Sequence, residues 1–134
     1  MSKEAVAMII LSGDGTEVVL GKKIRKEESF LSELWHLPGE TKNPGEKDLD
    51  AVKRGALEEL GIKVNGFIYL ESNTTLHGTS LAWYEVMVFG QEKLTTGSDL
   101  SEAKWVDIDK VKEIISPEAS ALWPERVKKY FGIT

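Results

Sequence analysis

Leu37-Pro38-Gly39-Glu40, then Gly45-Glu46, then Arg54-Gly55-Ala56-Leu57-Glu58-Glu59-Leu60-Gly61-Ile62: this stretch runs from an apolar stop, through loop chemistry, into a helix that ends on two glutamates. The two Pro-Gly pairs, at 38–39 and 44–45, predict that Glu40 to Lys47 is loop. Asp48 to Leu60 reads as a helix, with Asp48 as its N-cap and Gly61 where a helix end favours positive φ. Leu49, Val52, Ala56 and Leu60 recur at helical spacing on one face, and Asp50, Arg54 and Glu58 stand opposite. Glu59 borders the apolar stripe. One side should therefore pack on a sheet while a rim of carboxylates faces out.

Working outward, Ala5–Leu11 and Glu17–Leu20 predict two strands joined through Gly13-Asp14-Gly15, a hairpin. Gly21 to Glu33 reads as a long polar loop leading to the short apolar segment Leu34–Leu37. Beyond the helix, Val64–Leu70, Leu81–Phe89 and Lys104–Ile108 read as strands. The middle one is apolar at nearly every position, which predicts burial on both faces. Asp109–Ile115 and Pro117–Phe131 read as helices, the second interrupted at Pro124. This order predicts one domain over residues 1–134, of α/β class, with helices on both faces of a mixed β-sheet: an α/β/α sandwich.

Composition bounds the chemistry. With 134 residues, 41% hydrophobic and 29% charged, the chain is long enough for one buried core. Its net charge of −5 argues against a general grip on duplex nucleic acid or an anionic membrane. An acidic chain can still hold a polyphosphate through metal ions. No cysteine is present, so disulfides and thiolate metal sites are excluded; a reducing cytoplasm is compatible with this, and cytoplasmic location is the expectation. Ala5–Leu11 is followed by a turn rather than by a cleavage pattern, so a strand is expected there and not a signal segment. No stretch approaches the roughly 20 apolar residues of a membrane span.

The quoted stretch resembles the box of the Nudix hydrolase family. In that pattern a Gly is followed, after five residues, by Glu; after seven more come Arg-Glu, an aliphatic, any residue, Glu-Glu, any residue, Gly and an aliphatic. Ile62, Gly61, Glu59, Glu58, Ala56, Arg54 and Glu46 fall in register with it. The flanks are similar too: Trp35 and Leu37-Pro38-Gly39 before the box, and Glu102-x-x-Trp105-Val106 after it. The resemblance implies a Nudix-like fold and a pyrophosphohydrolase acting on a nucleoside diphosphate linked to another moiety. It also implies Mg²⁺, or alternatively Mn²⁺, as cofactor and a nucleotide-type small molecule as partner. Homodimers are common among such relatives. The competing readings are a catalytically impaired nucleotide- or metabolite-binding module on the same fold, and an interaction domain whose helix carboxylates are mere surface.

Carried over residue by residue, the resemblance makes Gly39, Glu40, Glu58 and Glu59 metal-site candidates, and Glu46, Arg54, Glu58 and Glu102 catalytic ones. Splitting a diphosphate bridge gathers negative charge that divalent cations neutralise, and oxygen ligands suit Mg²⁺. Arg54 stands four residues before Glu58, within reach of an ion pair. Glu102, before a late strand, is the candidate general base. Arg25, within the cluster Lys22, Lys23, Arg25 and Lys26, and Trp123, in the last helical region, are candidate substrate contacts. His36 and His77 have no ligand-spaced partner and are expected to be structural or exposed. Two positions depart from the box. Gly55 replaces the glutamate after the arginine, and Glu40 replaces the opening glycine. The two changes look reciprocal, which predicts that Glu40 reaches over the bare backbone at Gly55 and restores the third carboxylate; the alternatives are a decayed site with Glu40 merely solvated, and a site that works with fewer ligands.

Overall fold

A computed structural model of the chain describes residues 3–24, 33–75, 78–89, 93–121 and 123–133. Its centre is β1 (Glu4–Leu11), whose residues Val6, Ile9 and Ile10 are wholly inaccessible to solvent. One edge of β1 pairs in parallel with β6 (Ser80–Met87), from Glu4↔Ser80 to Leu11↔Met87. The other edge is divided. It meets β2 (Glu17–Lys23) at Leu11↔Val18 and β4 (Gly39–Thr41) at Ala5↔Thr41, Val6↔Glu40 and Ala7↔Gly39. Between these, the Met8 N–H donates to the Pro38 carbonyl at 2.8 Å.

So β1 and β2 start as a hairpin and diverge. β2 turns to β7 (Leu100–Asp107) on one side and to the short β3 (Trp35–His36) on the other. The chain then crosses from β3 through Leu37-Pro38 to β4, from the border of β2 to that of β1. β5 (Gly66–Thr74) closes the far side against β6. The sheet is mixed, as expected, because β1 and β6 run parallel within otherwise antiparallel pairings.

Each face of the sheet has its own core. Val6, Met8, Ile10 and Val19 pack with Tyr84 and Val86 against α1 (Asp48–Leu60), through Ala51, Val52, Ala56 and Leu60. Ala7, Ile9, Val18 and Leu20 pack on the other face against Val111, Ile115, Trp123, Val127 and Phe131. A 3₁₀ turn leads into α2 (Val111–Ile114), and α3 (Pro117–Ser120) and α4 (Glu125–Tyr130) follow; Val111 and Val127 lie in α2 and α4, Ala119 joins the same core from α3, and Ile115, Trp123 and Phe131 lie just outside these helices. Strand alternation assigns each residue of β1 to one core or the other, which is why a single strand can be inaccessible along its length.

Several boundaries differ from expectation. Residues 39–41 are strand, not loop, because the divergence of β1 from β2 leaves a free edge of β1 that this segment fills. Lys47, not Asp48, is the N-cap, with an extended backbone and no side-chain cap bond. Asp48 instead turns to Lys42 Nζ at 2.8 Å and accepts the Tyr84 hydroxyl, so it anchors the helix start to β6. Leu49 is only half-buried; Ala51 and Gly55 take its place on the packed face. The helix ends as expected on Gly61 at φ 69°, with Gly61 N–H on Leu57 O and Ile62 N–H on Ala56 O. β6 ends at Met87 and Phe89 lies 70% exposed, beyond the cover that both faces give the rest of the strand. The last region is split at Pro124, whose extended backbone forms the cap of α4.

Leu60→Ala, at a wholly inaccessible site, should cost about 2–5 kcal/mol, read as a lower urea midpoint at unchanged slope. Leu57→Ala, at a side chain 56% exposed, should stay within about 0.5 kcal/mol of the parent.

Candidate active site

Arg54 organises the site. Its Nε donates to Glu46 Oε2 at 3.0 Å and its Nη2 to Glu46 Oε1 at 2.9 Å, a two-point grip on one carboxylate. Nη2 also donates to the Thr41 carbonyl at 2.8 Å. Nη1 lies 3.4 Å from Glu40 Oε1 and 3.5 Å from Glu58 Oε2. One guanidinium thereby joins the end of β4, the turn before the helix and the helix itself. The turn Asn43–Glu46 is ready for this grip: Gly45 takes φ 76°, and the Asn43 N–H donates to Glu46 Oε1 at 2.9 Å.

These contacts set the charges. Hydrogen bonds from Arg54, then from the Asn43 N–H, hold the Glu46 carboxyl down to about 2. Arg54 is shifted up in return, chiefly by its bonds to Glu46. Glu40 and Glu59 move the other way. Partial burial raises both above the ordinary carboxylate value, and the charges of Glu58 and of each one's other acidic neighbours add to the rise. Glu40 and Glu59 are thus less readily ionised than a free glutamate, and Glu46, under Arg54, more readily.

The helix end receives a second piece of chain. Thr95 N–H donates to Leu60 O, and Gly97 N–H to Glu59 O, each at 3.0 Å. A Cβ at Gly97 would stand 2.3 Å from Glu58 O, so only glycine permits this approach. The same loop lays the Asp99 N–H 3.3 Å from Glu59 Oε2 and brings the Asp99 carboxylate into the electrostatic reach of Glu59. No basic residue occupies the last turn of α1, where one would favour the negative end of the helix dipole.

A cleft of about 610 Å³ opens where β1 and β2 part, and Gly39, Glu40, Glu59, Asp99 and Lys23 line it with Trp123 and Trp83. Trp123 is nearly buried and meets Trp83 edge-on, ring centres 6.0 Å apart. His36 is buried in the wall. Its Nδ1 donates to Leu37 O at 3.0 Å, and burial pushes the imidazole down to about 4, so it is neutral.

Of the residues singled out from sequence, the structure gathers Glu40, Glu46, Arg54 and Glu58 around one guanidinium, and places Gly39, Glu40, Glu59 and Trp123 on one cleft. Glu102 is not among them. It lies on β7 opposite Lys22, 3.7 Å from Lys22 Nζ, and outside the cleft lining, because β7 begins at Leu100 and includes it in the strand. Asp99, one residue before that strand, remains in the loop over the helix end. Sequence reasoning passed over it; its signal was the Gly97-Ser98-Asp99 turn directly ahead of the strand. Arg25, Lys26 and His77 lie outside the described residues.

Do these donors suit a divalent cation? Among the described residues no three acidic or imidazole groups form a ready-made cage. Mg²⁺ does not require one: it keeps several waters and takes one or two carboxylates beside a substrate phosphate. The oxygen-only donors, with Glu40 and Glu59 shifted up by partial burial and then by neighbouring acidic charge, fit that demand. 

Because Glu46 titrates well below its ordinary 4.5, its contribution to stability is whole above that pH and is lost as pH falls towards about 2. Glu40 and Glu59, shifted up, act with the opposite sign: they cost stability once ionised. Glu46→Gln should therefore be less stable than the parent at pH 7. In urea melts taken across the acid range, that difference should shrink as pH falls from about 4.5 towards 2.

Comparison with known proteins agrees with this geometry. The NUDIX domain family profile matches residues 1–129. A structure from a study of MutT from Aliivibrio salmonicida and Vibrio cholerae superposes with a TM-score of 0.77 at 23% identity, covering 98% of each chain. The NUDIX domain of Shewanella oneidensis NrtR, complexed with ADP ribose, gives 0.74 at 16% identity over 96% of this chain and 88% of that one. A C. elegans Ap4A hydrolase binary complex gives 0.70 at 16% identity over 96% and 92%. No curated protein matches the chain significantly. No helix among the described residues is long and apolar enough to cross a membrane. A family profile spanning nearly the whole chain, on a fold shared with these structures, makes the chain a member of the Nudix family.

Proposed function

We propose that the chain is a metal-dependent pyrophosphohydrolase that cleaves a diphosphate linkage in a nucleoside diphosphate derivative. The observation that carries this reading is the cleft itself, where Glu40 from β4, Glu59 from the end of α1 and Asp99 from the loop over it share a cavity with Lys23 and a tryptophan wall. Glu58 and Glu59, with Glu40 and the Gly39 backbone, are the residues that would hold Mg²⁺ or Mn²⁺. When bound, such a cation neutralises the diphosphate and draws electron density from phosphorus. Arg54 Nη1 holds Glu40 at the cleft and pairs with Glu58 beside it, and Glu46 keeps Arg54 in place. Lys23 faces the phosphate charge from β2. Trp123 offers an apolar end of the cleft to the nucleoside part, a role also assigned to aromatic rings in nucleotide pockets. 

In the reaction, a water oxygen bonds to phosphorus, the bridging P–O bond breaks, and the bridging oxygen leaves with its electron pair. The water proton passes to a carboxylate. Asp99, supplied by the loop over the helix end, is the acceptor we assign, in place of Glu102, which stands apart.

The test is a hydrolysis panel of nucleoside triphosphates, dinucleotides and nucleotide sugars with Mg²⁺ and Mn²⁺. Glu58→Gln, Glu59→Gln and Asp99→Asn should each lower turnover by about 10²-fold or more, while Glu102→Gln should leave it within about threefold. Turnover that survives Glu58→Gln and Glu59→Gln contradicts the metal role. Nucleotide binding with no phosphate release, whatever the cation, identifies the binding-module alternative, which the glycine at 55 favours. A thermal shift separates the two readings from a chain that binds nothing.

A further inference from the structure

Gly55 and Glu40 are sterically linked. Gly55 is buried on α1, and a Cβ added there would stand 2.9 Å from Glu40 Cβ, 3.2 Å from its Cγ and 3.2 Å from its Oε2. Separations under 3.0 Å are essentially never found for real Cβ atoms, so Glu40 as placed and any larger side chain at 55 exclude one another. The space at Gly55 is a cradle that the Glu40 side chain fills. Nor is Glu40 free to be elsewhere. Its backbone is held in β4 by the pairing Val6↔Glu40, and strand alternation turns its side chain towards α1. Only 17% of that side chain is exposed, yet it belongs to the cleft lining beside Glu59.

We infer that Glu40 and Gly55 are one functional unit: strand β4 supplies to the cation site the carboxylate that the helix does not carry at position 55. The inference rests on the metal-dependent reading above and deepens it. A glutamate borne by the helix would start at the Gly55 Cβ position; the Glu40 carboxylate oxygen already lies 3.2 Å from that point, so both routes deliver negative charge to one small region. The glycine is explained as well. In a helix interior glycine is less stable than alanine, and here it is the condition for the Glu40 side chain to lie against the helix. Arg54 Nη1, 3.4 Å away, holds the carboxylate in this pose.

The exchange makes the two positions a testable pair. Mn²⁺ binding, followed by electron paramagnetic resonance and by titration calorimetry on the intact chain, is the readout, with thermal melting beside it. Glu40→Gln, nearly isosteric, should weaken Mn²⁺ binding about tenfold or more with little change in melting temperature. Gly55→Glu alone should melt lower than the parent, because it meets Glu40. The double variant Glu40→Gly with Gly55→Glu should melt above Gly55→Glu and bind Mn²⁺ at least about fivefold more tightly than Glu40→Gly alone, a departure from additivity that only coupled sites show. Unchanged Mn²⁺ affinity in Glu40→Gln overturns the inference, as does a double variant no better than Glu40→Gly. If the parent binds Mn²⁺ and hydrolyses nucleotides but these variants behave so, the exchange alone falls. If the parent binds no Mn²⁺, the metal-dependent reading falls with it.

Discussion

Arg54 reaches back from its own helix to the chain that precedes it: two bonds grip Glu46 in the turn, and a third, to the Thr41 carbonyl, ties α1 directly to β4. Charge-assisted, bidentate contacts of this type are stronger and more directional than neutral ones, and these are shielded in part from water. Remove the guanidinium, and three things lose their reference at once: the Thr41 carbonyl at the end of β4, the turn at Gly45, and the angle between the helix and the edge of β1. Glu40, on that strand, and Glu59, on that helix, line one cleft, and the two elements that carry them are tied at this point.

The sheet provides the complementary constraint. β1 serves both cores, so its position is set by apolar residues on two sides. β2 leaves it after a single paired position, and further along the same edge its Gly21 and Lys22 pair with β3, while the opposite edge pairs with β7 throughout. The gap that opens is not a packing failure. Leu37 to Thr41 fills its upper part, and what is left is the cleft. Hydrophobic burial thus produces the concavity, and polar contacts furnish it.

Much of this could be read from residues alone. The helix from 48 to 60 declared itself by period and by Gly61, and the spacing of Glu46, Arg54 and Glu58 announced a common centre. Less legible were features that depend on distant chain. Residues 39–41 carry two turn-forming signals nearby and became a strand because a vacant edge of β1 was available. Asp48 looked like a cap and was claimed by Lys42 and Tyr84, the latter from a strand far along the chain. Glu102, the late acidic residue that the pattern offers, pairs across the sheet with Lys22, whereas Asp99, three residues earlier and just before β7, lies by the helix end. Local pattern locates elements; which edge is open, and where a strand begins, are decided by the whole sheet.

The end of α1 shows what such a site asks of a fold. Helix dipoles favour cations at their C-terminal ends, yet this one terminates in Glu58 and Glu59, with Asp99 laid alongside and no lysine or arginine in the last turn. Backbone N–H groups of Thr95 and Gly97 quiet the exposed carbonyls but leave the side-chain charge standing. Robustness and negative potential are therefore opposed at this spot: a lysine introduced to calm the helix terminus would firm up the protein and, by the same stroke, offset part of the negative charge gathered there.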